Sequence, residues 1–218
     1  MGKIELAVFD LDGTLTDSGN TIYKTSVKAL KHLGIKGELP QDEFNKRIGA
    51  HFKDIFDDLN INIEDLEHFI NVYKGFYFDF ISDTVIYNGV MDTLKYLKLN
   101  GIKTALLTTK AQDQADKIID YFSMREYFSM VTGRRPGLGI KPDPEPLIFI
   151  CGELKIKPEN TLMVGDSELD VKCGKRAGAK TCAVSYGFRM KEDLEKETPD
   201  YIIDEMALLR GIVELNNA

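Results

Sequence analysis

Residues Ile4-Glu5-Leu6-Ala7-Val8-Phe9-Asp10-Leu11-Asp12-Gly13-Thr14-Leu15 join an apolar run directly to a pair of acids. The run, broken only by Glu5, reads as a buried parallel strand. A carboxylate at the carboxyl end of such a strand stands where open α/β sheets bind ligands. Asp12 follows two residues later, and Gly13 lets the backbone turn closely around whatever the acids hold. Neighbouring carboxylates are costly to keep ionised unless a cation joins them or one keeps a proton. The arrangement suits a nucleophilic carboxylate, a general acid/base beside it and a divalent metal. An ordinary Asp-Gly turn would look the same, so the partners supplied elsewhere decide between the two.

Residues 17–86 have helical rhythm. Ser18 is placed as an N-cap, followed by an apolar stripe of Ile22, Val27, Leu30 and Leu33 that Gly34 closes. Pro40 and Asp42 open a second helix stopping near Gly49, residues 51–59 form a third, and residues 63–81 a fourth. Phe69, Tyr73, Phe76, Tyr77 and Phe80 recur at helical spacing, as a core stripe does; an aromatic-ligand site is the other reading. Four helices with no strand between them suggest a small bundle.

After Asn88-Gly89, strands are expected at 102–107, 127–132, 161–164, 180–184 and 199–203. Helices are expected at 90–99, 111–121, 147–154 and 169–177, with another closing the chain. This alternation predicts an α/β fold built on a doubly wound parallel sheet. The expected division is a core of residues 1–16 and 87–218 and an inserted four-helix cap of residues 17–86, seated over the carboxyl ends of the strands.

The 218 residues can bury a real core, and the net charge of −7 argues against nucleic acid or an anionic membrane as partner. No apolar run approaches a membrane span, and the N-terminus lacks the ordered regions of a signal peptide. Cys151, Cys173 and Cys182 are odd in number and lack metal-ligand spacing, which predicts reduced thiols and a cytoplasmic protein. His32, His51 and His68 are scattered and form no zinc cluster. Monomer and homodimer are equally compatible with the sequence.

Further polar residues fall at strand or loop ends: Thr108, Lys141, and Asp166 with Asp170. Each has a plainer reading alone: a helix cap for Thr108, a solvated charge for Lys141, a turn and a surface acid for the last two. Together with Asp10 and Asp12 they form a phosphoryl-transfer set. A hydroxyl and an ammonium neutralise phosphoryl oxygens, while carboxylates and a backbone carbonyl hold a hard cation.

With Asp10-Leu11-Asp12-Gly13-Thr14, Thr108 after Leu106-Leu107, Lys141-Pro142 and Gly165-Asp166-Ser167-Glu168-Leu169-Asp170 in this order, the chain resembles the haloacid dehalogenase superfamily over nearly its whole length. The resemblance implies that Asp10 is the nucleophile of an aspartyl-phosphate mechanism and that Asp12 is its general acid and base. It implies that Thr108 and Lys141 bind the transferring group. Mg2+ would be held by Asp10, the backbone carbonyl of Asp12 and Asp166, with Asp170 supporting the metal or orienting Lys141. Substrate contacts are expected from Gly13, Thr109 and Lys110, and from Arg47, Gly49 and His51 of a cap loop at 47–51.

The second acid, Asp12, favours phosphatases over dehalogenating and phosphonate-cleaving members, and Ile22 stands where sugar-phosphate mutases carry a His. Ser185-Tyr186-Gly187 and Gly178 are similar to phosphoglycolate phosphatases, but Thr108-Thr109-Lys110 departs from their usual Thr-Asn-Lys. The expected substrate is therefore a small phosphate ester, with a mutase or a pyrophosphatase as alternatives. A receiver-type phospho-Asp signalling module is the distant one, since such modules are shorter and have no inserted helices.

Overall fold

All four residues of β1 (Leu6–Phe9) are buried, and their side chains part to two faces. Leu6 and Val8 join one apolar cluster while Ala7 and Phe9 join another, as period two requires of a strand covered on both sides. The computed structural model describes residues 3–218, so the first two positions of the expected core lie outside the described residues.

After β1 comes β2 (Thr16–Asp17), then α1 (Gly19–His32), α2 (Gln41–Asn45), α3 (Phe52–Asp58) and α4 (Leu66–Phe76), and then β3 (Val85–Ile86). The remainder alternates: α5 (Val90–Leu99), β4 (Lys103–Ala111), α6 (Gln112–Tyr121), β5 (Met130–Arg134), α7 (Glu145–Leu154), β6 (Thr161–Gly165) and α8 (Glu168–Ala177). It finishes with β7 (Lys180–Val184), α9 (Lys191–Lys196), β8 (Tyr201–Ile203) and α10 (Leu209–Asn217).

Six strands form one sheet in the order β5-β4-β1-β6-β7-β8, and every pairing in it is parallel. Phe9 is level with Leu106 on one side and with Val164 on the other. Leu147, Ile150 and Cys173 of α7 and α8 cover the face of Leu6 and Val8. Leu94, Ile118 and Val213 of α5, α6 and α10 belong to the cluster of Ala7 and Phe9. The sheet is doubly wound, as the alternation predicts. The chain leaves β1 toward β4 and β5, then returns to β6 on β1's other side, so the topological switch lies at the carboxyl end of β1.

Of the expected aromatic stripe, Phe69, Tyr73 and Tyr77 are buried among the inserted helices, while Phe76 and Phe80 are half-buried. Phe56 meets Phe69 edge-on at 4.9 Å and Phe52 meets Tyr73 at 4.8 Å. Val27 departs from its expected stripe and is exposed. The fourth helix is shorter than expected. Asp65 starts it by accepting a hydrogen bond from the His68 N–H at 2.9 Å, and beyond Phe76 the chain passes into 3-10 turns.

Sequence reading misses the antiparallel ribbon of β2 and β3, which pairs Thr16 with Ile86 and Asp17 with Val85. The expected boundaries at 17 and 86 run through this ribbon. Among the described residues no helix is long and apolar enough to cross a membrane.

Candidate active site

Asp10 leaves the end of β1 with its N–H donating to the Val164 carbonyl at 2.9 Å. The chain then turns at once. Gly13 has φ +80° and donates to the Thr16 carbonyl, while Leu15 and Thr16 both donate back to Leu11. A side chain at Gly13 would be strained, and its Cβ would lie 2.2 Å from Asp166 Oδ2. The turn is closed against the Asp166 carboxylate.

β6 delivers Asp166, and the start of α8 delivers Asp170. Asp166 Oδ2 accepts from the Phe188 N–H at 2.8 Å and Oδ1 from the Thr14 hydroxyl at 3.4 Å. Asp170 Oδ2 accepts from the Ser167 N–H and hydroxyl in a capping box. Its Oδ1 is 2.6 Å from Lys141 Nζ, and Lys141 is also 2.8 Å from Asp10 Oδ1. Lys141 therefore bridges two carboxylates in a buried setting.

Oxygens of Asp10, Asp166 and Asp170 lie within 4.8 Å of one another, all buried. Burial pushes the Asp10 carboxyl up to about 7, against the pull of Lys141 and with help from Asp170 and Asp12. Burial and the charges of Asp10 and Asp170 push Asp166 well above the usual carboxylate range. Burial also works against the Lys141 ammonium, but the two acids outweigh it and raise its pKa. Lys141 serves two of the three clustered acids, and a hard, oxygen-liganded divalent ion fits this donor set.

Asp12 stands apart from that cluster. Its Oδ1 accepts from the Ser18 hydroxyl at 2.5 Å, and its Oδ2 is 2.9 Å from Lys110 Nζ. Lys110 is buried and lies over the Tyr77 ring at 4.8 Å. Burial opposes its charge, and Asp12 more than restores it. β4 reaches this far because a bulge between Leu107 and Ala111 carries it past its expected end. Within the bulge the Thr108 hydroxyl accepts from the Lys110 N–H at 3.3 Å, so Thr108 is no helix cap. Thr109 donates to the Gly49 carbonyl at 3.1 Å and ties β4 to the inserted segment.

Ten of the expected site residues gather at this end of the sheet: Asp10, Asp12, Gly13, Thr108, Thr109 and Lys110, then Lys141, Asp166, Asp170 and Gly49. His51 lines the same cavity as Gly49, Asp12 and Lys110. Its Nδ1 accepts from the Lys53 N–H, and burial together with Arg134 lowers its pKa.

Arg47 is the correction. It turns to Glu43 at 3.0 Å and to Asp58 at 3.3 Å within the insert, because an acid four residues back on the same helical surface captures it. Arg134 lines the cavity, with its guanidinium also 3.2 Å from Glu67 of the insert. The Asp12 side chain is taken up by Ser18 and Lys110. Asp170 holds Lys141 on one oxygen and Ser167 on the other.

Sequence reading gave no role to Gln114 and Arg134, which line the cavity, and read Ser18 as a cap and Tyr73 as part of an aromatic stripe. Arg134 ends β5, which runs two residues past its expected end at 132. Ser18 occupies the N-cap position but makes no side-chain cap bond, and no local signal tells that hydroxyl from a cap.

The haloacid dehalogenase-like hydrolase family matches residues 7–184. Pyrophosphatase PpaX of Bacillus mycoides (strain KBAB4) is 32% identical over 216 residues, covering 99% of each chain. A solved structure described as a predicted phosphatase from Clostridium acetobutylicum superposes with a TM-score of 0.86 at 27% identity, covering 98% of this chain and 100% of that one. One described as a predicted phosphoglycolate phosphatase from Haemophilus somnus gives 0.83 at 25% identity, covering 97% and 99%. With its strand-end acids in place and the family matched across most of its length, the chain belongs to the haloacid dehalogenase-like hydrolases.

Proposed function

We propose that the protein is a Mg2+-dependent phosphatase of small phosphorylated metabolites, working through an aspartyl-phosphate on Asp10. The observation that carries this reading is the buried Asp10 at the end of the central strand, 2.8 Å from Lys141 and clustered with Asp166 and Asp170. An Asp10 oxygen attacks phosphorus as the ester oxygen leaves. Asp12 gives that oxygen its proton, then takes one from the water that attacks the aspartyl-phosphate, releasing phosphate and restoring Asp10. Lys141 and the Thr108 hydroxyl hold the phosphoryl oxygens. Asp170 keeps Lys141 in place, and Ser18 and Lys110 keep Asp12 in place.

Asp10, Asp166 and the Asp12 carbonyl would hold the ion. Once bound it would neutralise charge on the phosphoryl group and on the crowded acids. Residues 17–86 would act as a cap over this centre, with Gly49 and His51 facing the substrate. Ile22 lines the cavity where a mutase would need a His, so hydrolysis is the favoured outcome. The relatives' names leave both a phosphate monoester and pyrophosphate as substrates. All three cysteines are free and buried, which suits work in a reducing cytoplasm.

Phosphate release from p-nitrophenyl phosphate tests the reading. It should stop with EDTA and with Asp10→Asn, and Asp12→Asn should cripple turnover while sparing Mg2+ binding. Turnover that survives EDTA or Asp10→Asn would refute the assigned mechanism.

A further inference from the structure

The last helix is apolar on two sides. α10 turns Leu209, Val213 and Asn216 inward. On one flank it meets α5, where the Tyr96 hydroxyl donates to Glu214 at 2.9 Å and the Arg210 guanidinium lies 5.5 Å from the Tyr96 ring. On the other flank stand Leu208, Gly211, Ile212 and Leu215, at the spacing that sets side chains along one line of a helix. Leu208 is 46% and Leu215 67% exposed, and Ile212 is half-buried. Apart from the helix's own backbone, nothing lies within 4 Å of where a Gly211 Cβ would stand. Leu208 already has helical φ and ψ, so the line is continuous. A flank turned to water is ordinarily polar, and single exposed apolar side chains need no partner. Four neighbouring positions without one polar side chain do.

Their spacing identifies the partner, because 208, 211, 212 and 215 read the same in both directions. Two copies of α10 laid antiparallel bring Leu208 of each against Leu215 of the other. Ile212 of each then covers the gap at the other's Gly211. Every position meets one from the same set, as a two-fold interface between identical chains requires. The charges agree with this direction. Asp204 and Glu205 stand exposed where the chain enters α10, and Lys180, donating to Asn216 at 2.5 Å, stands where α10 ends. Antiparallel helices place the acidic end of one copy beside the basic end of the other.

We propose that the protein pairs with a second copy of itself through this flank of α10, the two helices running antiparallel about a two-fold axis. The surface is one short helix beside β8, the outermost strand of the sheet. That falls short of the about 800 Å2 each partner gives to a stable interface, so the dimer is a weak one, with Kd on the order of 10–100 μM. It stands or falls independently of the chemistry at Asp10.

Sedimentation velocity of the full chain from about 1 to about 500 μM tests it. The mass should climb from 24.6 kDa toward twice that value. Leu215→Glu and Gly211→Leu should each weaken association by about tenfold or more, the first by burying an unpaired charge and the second by filling the gap. Both positions are exposed, so the variants should fold as the wild type does, and Gly211→Leu replaces a poor helix former with a good one. Joining Leu208→Lys to Leu215→Glu should restore the dimer that either change alone abolishes, and salt should weaken it again. The two introduced charges meet only across the antiparallel axis, since within one chain they lie about two turns apart. A wild type that stays at 24.6 kDa throughout, or a dimer that survives Leu215→Glu, would overturn the proposal. A double variant that remains a single chain would overturn the antiparallel register on which it is built.

Discussion

Gly187→Ala probes how tightly Asp166 is gripped. Gly187 has no positive φ, so an alanine there meets no dihedral penalty and the effect is one of space alone. Its Cβ would lie 2.3 Å from Asp166 Cβ, 2.5 Å from Asp166 Oδ2 and 2.5 Å from the Gly13 carbonyl oxygen. Ordinary contact begins near 3.4 Å, so each gap must open by about 1 Å, an overpacking of the kind that is always felt in a dense interior. A Cβ and a backbone carbonyl cannot swing away by changing rotamer. Overpacking costs about 1–3 kcal/mol, and rigid neighbours place this case near about 3. For a chain of this size, at about 2–4 °C per kcal/mol, the loss in Tm is about 6–12 °C.

Thermal unfolding in EDTA, followed by a Mg2+ titration, reads both consequences. The variant should melt early and should lose most of its Mg2+-induced rise, because Asp166 is displaced from Asp10. Gly152→Ala is the control. It lies within α7 with nothing near its Cβ position and should gain about 0.5–1 kcal/mol. A Gly187→Ala protein melting within about 1 °C of wild type, with an unchanged Mg2+ response, would refute the packing described around Asp166.

In EDTA, the folded chain keeps on Asp10 a proton that the unfolded chain releases, since its carboxyl moves from 3.8 up to about 7. This group's contribution to stability is complete below pH 3.8 and is lost as pH rises to about 7, on the order of 4 kcal/mol at most. Mg2+ favours the ionised acids, so it should raise Tm more at pH 8 than at pH 5, and an equal rise at both would contradict the assignment. Lys110→Met should cost about 3–5 kcal/mol in chemical denaturation by stranding buried Asp12, and adding Asp12→Leu should recover most of it. If the double variant is no more stable than the single one, the pair is not coupled as described. Arg47→Ala should leave phosphate release within about twofold, since its partners are exposed acids of the insert; a tenfold loss would return Arg47 to the substrate site.

The parts of the site that were legible in the sequence are those that depend on strands buried on both faces. β1 and β6 are short buried runs with sharp ends, β4 carries its apolar residues at Ala105, Leu106 and Leu107, and ligands gather at the carboxyl ends of such strands. The parts that were not legible depend on partners far along the chain. β2 and β3 are two residues each and pair across about seventy positions, too short for any periodic signal. Ser18 has the residue type and position of a cap, and only the approach of Asp12 diverts its hydroxyl. Tyr73 belongs by spacing to a core stripe and is packed as one. Its hydroxyl has no hydrogen-bond partner among the described residues, which no local pattern records.

The two lysines of the site carry a wider argument. A buried ion pair is weak evidence for stability, because desolvating both charges offsets most of their attraction, and apolar replacements often serve the fold as well. Here two such arrangements stand side by side. Lys141 is shared by Asp10 and Asp170, while Lys110 serves Asp12 alone. Asp170 is anchored at the start of α8 through Ser167 and holds Lys141 on its other oxygen, so the ammonium keeps its place whatever becomes of Asp10's charge. Lys141 meets Asp10 through Oδ1, which leaves Oδ2 as the oxygen not engaged by the ammonium. A stable core would gain nothing from this division of contacts. It suits the proposed mechanism, in which Asp10 changes its bonding while its neighbours stay still.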